Sequence, residues 1–353
     1  MDGLGSTVAS DGTDPLSAAV DKPSAEHGTL FVIAAGNTGD HTISAPGAAD
    51  AALTVGSVTK SGAMSPFSPR GPRQGRPAVE PEVSGPGSDI VAARAAGTLD
   101  DASVTEQYAS LSGTSMASPH VAGAAALLAQ RHPDRSGDRL KSALVGSAAR
   151  VDGATVSDTG AGLVDVPAAL AAAVVAEPAA PAARTTYPNG SAEPQSRELT
   201  WTNTTDKPVR PTLCAGHDGA VRLGARTLTV PARSSAVSKV TLEPSRVEAQ
   251  TTYDGAVTAN WSGHGRATVP VSVQADPATC TLTLTGPAPR AGSEATSTGV
   301  VLQNERTGAS QLIGLTGTVP RKVTLPRGSY RAPPPGLPVR GIFVRVTPWQ
   351  ECG

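Results

Sequence analysis

Residues 113–123 read Gly113-Thr114-Ser115-Met116-Ala117-Ser118-Pro119-His120-Val121-Ala122-Gly123, and the run Ala124-Ala125-Ala126-Leu127-Leu128 follows at once. From Ser118 to Arg131 the pattern is apolar nearly all round, which predicts a helix buried in a core. Ser115 opens that helix, where free backbone N–H groups and the positive end of the helix dipole gather. Its hydroxyl is therefore placed where developing negative charge is favoured. Working outward, Thr29–Ala35 and Ala51–Val58 are apolar throughout, as in strands covered on both faces. Asp14 then Pro15 start a helix over Asp14–Glu26. Pro23 removes a backbone bond at a cost of about 3 kcal/mol, so a kink or early end is expected there. A further helix fits Arg139–Ser147, and Val164–Ala176 reads as a last helix or a helix plus the start of a linker. Residues 1–172 are thus expected to be α/β, with a parallel sheet carrying helices on both faces.

The texture changes afterwards. Glu177–Arg184 is an Ala/Pro stretch, so residues 173–186 read as a semi-rigid linker. Glu198–Asn203, Arg226–Val230, Val237–Leu242 and Ala267–Val273 alternate with period 2, which places an all-β sandwich at 187–275. A second β domain over 276–331 rests on Thr279–Leu284, Gly299–Leu302 and Arg321–Leu325. Residues 332–353, with Pro333-Pro334-Pro335 and Trp349, are expected to be an irregular tail.

The chain has 353 residues, enough for two or three domains. Its formal net charge is −1 with 29 basic and 30 acidic residues, and no basic run stands out, so nucleic acid and anionic membrane surfaces are set aside as partners. No apolar run reaches membrane-spanning length. The opening Met1-Asp2-Gly3-Leu4-Gly5-Ser6 has neither a basic n-region nor an apolar h-region, so no secretory signal is expected. Cys214, Cys280 and Cys352 form no ligand cluster. A Cys214–Cys280 disulfide and free thiols both stay open.

The stretch at 113–123 resembles the nucleophile segment of the subtilisin-like serine peptidases, the subtilases. Phe67-Ser68-Pro69-Arg70-Gly71-Pro72, Gly85-Pro86-Gly87-Ser88-Asp89-Ile90 and Gly160-Ala161-Gly162-Leu163-Val164-Asp165 resemble further subtilase segments in the expected order. Gly85 departs from the alanine usual in that family. The resemblance covers about Gly3–Leu170 and implies that residues 1–172 are the C-terminal part of a catalytic domain. It implies a serine endopeptidase that cleaves peptide or protein substrates through an acyl-enzyme on Ser115. It also implies an extracellular location and a fibronectin type III-like domain for the sandwich, while the second β domain resembles a transthyretin-like or carboxypeptidase-regulatory-like fold.

A serine hydroxyl needs donors for its oxyanion and a base for its proton. The Ser115 N–H is one expected donor. Asn37, after Ala34-Ala35-Gly36 at a strand end, matches the family's oxyanion-hole asparagine. Gly3-Leu4-Gly5 and Ala34-Ala35-Gly36 resemble the two walls of the primary specificity pocket. The family orders its triad Asp, His, Ser, so both partners belong upstream, and neither is found. His27 lies only ten residues before Asn37 and reads as a solvated strand-entry residue. His41 falls in a polar loop. His120 is five residues past Ser115, about 140° round the helix, and points away. Asp11-Gly12-Thr13 reads as a loop. The catalytic Asp and His are therefore expected to be absent and the chain inactive alone, with open strand edges and exposed apolar surface. The other class of function is a non-catalytic secreted binding protein acting through its β domains. An α/β-hydrolase lacks support, because Gly113-Thr114-Ser115-Met116-Ala117 has no second elbow glycine. No cofactor or metal is expected, although carbonyls near Ala45-Pro46-Gly47 are candidates for a structural calcium site.

Overall fold

The computed structural model describes residues 9–39, 43–73, 75–216, 219–248, 251–263, 265–285, 297–305, 310–316, 318–326, 328–332 and 342–345. The chain divides into two units: residues 1–185 with 189–275, and residues 186–188 with 276–353.

In the first unit, α1 (Pro15–His27) is capped by Asp14, which accepts from the Leu16 and Ser17 N–H groups. Burial raises the Asp14 pKa, but those bonds and the Ser10 and Ser17 hydroxyls outweigh it and bring it down to about 2. The helix does not end at Pro23. The carbonyl that loses its partner there belongs to exposed Ala19, where water replaces the missing donor. It ends at Gly28, in the left-handed region at φ 65°.

Strands β1 (Val32–Ala34), β2 (Leu53–Val58) and β3 (Val83–Pro86) form a parallel sheet in that order. Side chains alternate across it: Phe31 and Ile33 pack with Val20 of α1, whereas Leu30 and Val32 join the larger core on the other face. Helices therefore cover both faces, as the apolar strands imply. Next comes an antiparallel ribbon of β4 (Ile90–Ala93), β5 (Ser103–Thr105) and β6 (Tyr108–Leu111), paired in the order β4-β6-β5 and exposing Val91, Val104 and Tyr108.

Helix α2 (Thr114–Arg131) packs Ala117, Val121, Ala124, Ala125 and Leu128 into the larger core. Burial all round is not observed. Ala122, Gly123, Ala126 and Leu127 are exposed, because the sheet covers one face and no described residue buries the other. Then follow α3 (Gly137–Ser147), α4 (Val156–Thr159) and α5 (Val166–Leu170). The helix expected over Val164–Ala176 thus stops at Leu170, and Val174 starts a strand.

The stretch expected to be a linker is folded instead. It supplies β7 (Val174–Glu177) and β8 (Ala182–Thr186), with Val174, Val175 and Ala176 buried. These join β9 (Gln195–Asn203), β10 (Thr212–Cys214), β11 (Val221–Leu223), β12 (Ser235–Leu242), β13 (Thr252–Trp261) and β14 (Gly265–Asp276) in two antiparallel sheets, ordered β11-β12-β9-β7 and β10-β13-β14-β8. Fully buried Trp201 centres the core and donates its indole N–H to Ser238 Oγ at 2.8 Å. Arg226–Val230, expected to be a strand, makes only isolated bridges, Thr227 to Thr212 and Val230 to Val209. Cys214 is an exposed free thiol.

The second unit holds β15 (Thr279–Leu284), β16 (Ser297–Asn304), β17 (Ser310–Thr316), β18 (Arg321–Pro326), β19 (Ser329–Ala332) and β20 (Ile342–Arg345). They pair as β15-β18 and as β17-β16-β19-β20. Leu302, Leu315, Val323, Leu325 and Tyr330 form its core. The tail expected to be irregular includes β20, which pairs with β19; Trp349 and Cys352 lie outside the described residues. No described helix is long and apolar enough to cross a membrane.

Candidate active site

Ser115 occupies the first turn of α2 and is exposed. The start of α2 is fixed from below by Gly87, whose carbonyl accepts the Gly113 N–H at 2.8 Å and whose own N–H reaches Val58 O at 3.1 Å. A Cβ at Gly87 would lie 2.4 Å from Ser57 Oγ and 2.7 Å from Gly113 O, so this crossing requires glycine.

Asn37 follows β1 and lies against the same helix end. Its Oδ1 accepts the Thr114 N–H at 2.8 Å and the Thr114 hydroxyl at 3.1 Å. That hydroxyl also lies 2.7 Å from Gly36 O, and Thr114 itself is fully buried. An N–H donor on one side dictates which way the amide points, since only the oxygen can accept. Asn37 Nδ2 is consequently turned away from Thr114 as a donor. Neither it nor the Ser115 N–H has a hydrogen-bond partner among the described residues. Two unspent donors at a helix N-terminus can receive an anionic oxygen.

Of the residues matched to the pocket walls, Ala34 and Gly36 are part-exposed and Ala35 is fully buried with its carbonyl accepting the Ser44 N–H at 3.3 Å. Gly3, Leu4 and Gly5 lie outside the described residues, as does His41. His27 is solvated, as expected, but on the last turn of α1 rather than at a strand entry, 3.9 Å from Glu26. His120 Nδ1 is 2.8 Å from the Met116 carbonyl of its own helix. Asp11 is a loop residue whose Oδ1 accepts from Thr13 N–H and hydroxyl at 2.9 and 2.6 Å. Among the described residues no imidazole hydrogen-bonds Ser115.

At the entry ends of β2 and β3 lies a buried charge cluster that sequence reasoning missed. Arg73, 1% exposed, pairs with Asp50 at 2.7 Å and Glu80 at 3.1 Å and donates to Ala48 O. Lys141 pairs with Glu82 at 2.6 Å and donates to Ala52 O at 2.6 Å, while the Thr54 hydroxyl donates to Gly47 O. Of the carbonyls at Ala45-Pro46-Gly47, Gly47 O accepts the Thr54 hydroxyl and Pro46 O accepts the Ala49 N–H at 3.1 Å. No described group of His, Cys, Asp or Glu suits a metal ion. Burial pushes Glu80 up to about 8 against the pull of Arg73, and pushes Glu82 in the same direction against Lys141. Local spacing gave no signal for this cluster, since its members come from four separated segments.

Residues 2–162 match the family model described as the subtilase family. The serine protease AprX of Bacillus subtilis is 36% identical over 146 residues, covering 37% of this chain and 32% of that protein. Subtilisin DY of Bacillus licheniformis is 36% identical over 162 residues, 45% of this chain and 52% of its own. A halolysin-like extracellular serine protease, Nep, of Natrialba magadii is 38% identical over 143 residues, 40% of this chain and 23% of its own. The chain therefore spans between about a quarter and a half of the length of these relatives. The α2 start, the Asn37 amide and these matches agree: residues 2–162 are similar to the subtilisin-like serine peptidases of the subtilase family.

Proposed function

We propose that this chain supplies the nucleophile and the oxyanion hole of a subtilisin-like serine endopeptidase that acts on peptide or protein substrates outside the cell. The observation that carries the reading is the Thr114–Asn37 hydrogen bond, which leaves Asn37 Nδ2 and the Ser115 N–H unspent beside an exposed hydroxyl. Ser115 Oγ attacks the scissile carbonyl, and the two donors hold the oxygen of the tetrahedral intermediate. Ala34-Ala35-Gly36 forms one wall of the pocket for the residue before the scissile bond, with Gly3-Leu4-Gly5 as the other. The base that takes the Ser115 proton, and the carboxylate that orients it, come from outside the described residues, and the chain alone is inactive. The exposed face formed by Ala122, Gly123, Ala126 and Leu127 supports that arrangement, since an apolar helix face of this kind needs a cover. The sandwich at 187–275 is assigned as fibronectin type III-like and the unit after it as transthyretin-like.

The test is labelling of the purified chain by a fluorophosphonate, alone and with a separately made polypeptide carrying the subtilase Asp and His segments. Labelling of Ser115 that accelerates only in the mixture supports the reading. Fast labelling of the chain alone contradicts its base requirement.

A further inference from the structure

A cavity of about 230 Å³ lies where the turn between α2 and α3 meets the edge of the sandwich. Its charged lining comprises His132, Asp134, Arg135, Arg139, Glu177 and Arg233. Two of the three guanidinium groups have acidic partners: Arg139 lies 3.4 Å from Glu177, and Arg233 lies 2.8 Å from Asp206. Arg135 is different. Its Nη1 and Nη2 are both shut off from solvent without a hydrogen-bond partner, and so is His132 Nε2. Burial and the Arg135 and Arg131 charges lower the His132 pKa, against the pull of the Leu170 backbone. Asp134 acts on Arg135 only through its charge, forming no ion pair with it.

A buried guanidinium with both terminal nitrogens unpaired is among the costliest features a fold can carry. Its planar fork presents two parallel donors matched to two oxygens of one anion. His132, three residues earlier on the same turn, adds a third donor through Nε2 when its imidazole is protonated, as a bound anion favours, and a third oxygen outside the plane of the first two distinguishes a tetrahedral anion from a carboxylate. We propose that this cavity binds a small tetrahedral oxyanion of the phosphate or sulfate kind, with Arg135 holding two oxygens and His132 Nε2 a third. This site is separate from Ser115 and stands whether or not the proteolytic reading does.

The test is urea unfolding of the full chain in sodium phosphate, sodium sulfate, sodium acetate or sodium chloride at matched ionic strength, with calorimetric titration of phosphate. Above the dissociation constant, each tenfold rise in phosphate lowers the unfolding equilibrium constant about tenfold relative to chloride. Arg135→Gln abolishes that response and is at least as stable as the parent in chloride, since its unpaired charge is gone. Arg222→Gln, at an exposed arginine outside the cavity lining, keeps the response. His132→Gln provides a second reading and weakens phosphate binding several-fold. An identical phosphate response in parent and Arg135→Gln, or no difference between phosphate and chloride in the parent, overturns the site. Acetate matching phosphate overturns the tetrahedral assignment.

Discussion

Glu80→Gln should change the pH dependence of stability more than stability itself. Two cations, Arg73 and Lys141, share the buried cluster with three acids, Asp50, Glu80 and Glu82. Arg76 pairs with Asp50 at 2.7 Å and offsets the third acid, so the proton on Glu80 is set by burial, which raises its pKa from 4.5 to about 8. Its Oε2 lacks any hydrogen-bond partner that would favour the carboxylate. Between pH 4.5 and about 8 the folded chain therefore holds a proton that the unfolded chain has released. Stability from this group is fully present below pH 4.5 and is lost as pH rises toward 8, by about 1.4 kcal/mol per unit. Over roughly 3.5 units the ceiling is about 5 kcal/mol. Glutamine copies the neutral acid and cannot titrate. Urea unfolding followed by far-UV circular dichroism at pH 5, 6, 7 and 8 measures the difference between variant and parent, in which the titration of Glu82 largely cancels. The variant should match the parent near pH 5 and exceed it by several kcal/mol at pH 8. Parallel profiles, or a variant that falls below the parent as pH rises, would refute the reasoning.

Asn37→Ala removes both a donor for the oxyanion and the acceptor of the Thr114 N–H. In the reconstituted enzyme it should lower turnover about 10²–10³-fold with little change in KM, a range supplied by subtilisin itself, and steady-state peptide hydrolysis measures it. Gly87→Ala forces a Cβ against Ser57 Oγ and Gly113 O, so about 1–3 kcal/mol of destabilisation is expected in urea, with slower labelling of Ser115 as the α2 start shifts. Asp14→Ala removes the α1 cap and should cost about 1 kcal/mol at pH 7. Because the folded Asp14 pKa is lowered to about 2, that difference should persist above pH 3.8 and vanish as pH falls through 2, as thermal unfolding across acid pH would show.

The helix opened by Ser115, its buried strands and the Asn37 position were legible because each is written locally: a cap, a period, a strand end. The β7 and β8 strands were not. Alanine and proline dominate 177–184, and that composition reads as a spacer even though Val174 and Ala183 are buried in the sandwich core. Pro23 misled for the opposite reason, since the local rule assumes that the freed carbonyl is buried, and Ala19 is exposed. The β4-β6-β5 ribbon escaped notice because its strands are mostly exposed and carry no core-facing alternation. Arg73, Glu80, Glu82 and Lys141 are ordinary charged residues in sequence and acquire meaning only when the sheet brings them together. The unpartnered Arg135 is likewise visible only once neighbouring acids are seen to be bound elsewhere.

The central claim is that Ser115 and Asn37 form a competent nucleophile and oxyanion hole awaiting a base. Its most direct measurement is the rate of fluorophosphonate labelling at Ser115 with and without a polypeptide bearing the subtilase Asp and His segments. Subtilisin sets the scale, about 10⁶ in turnover for losing the base. Slow labelling of the chain alone, acceleration by orders of magnitude on mixing, and no labelling with Ser115→Ala are expected. Labelling of the chain alone at the mixed rate, or a mixture no faster than the chain despite demonstrated binding, would contradict that claim.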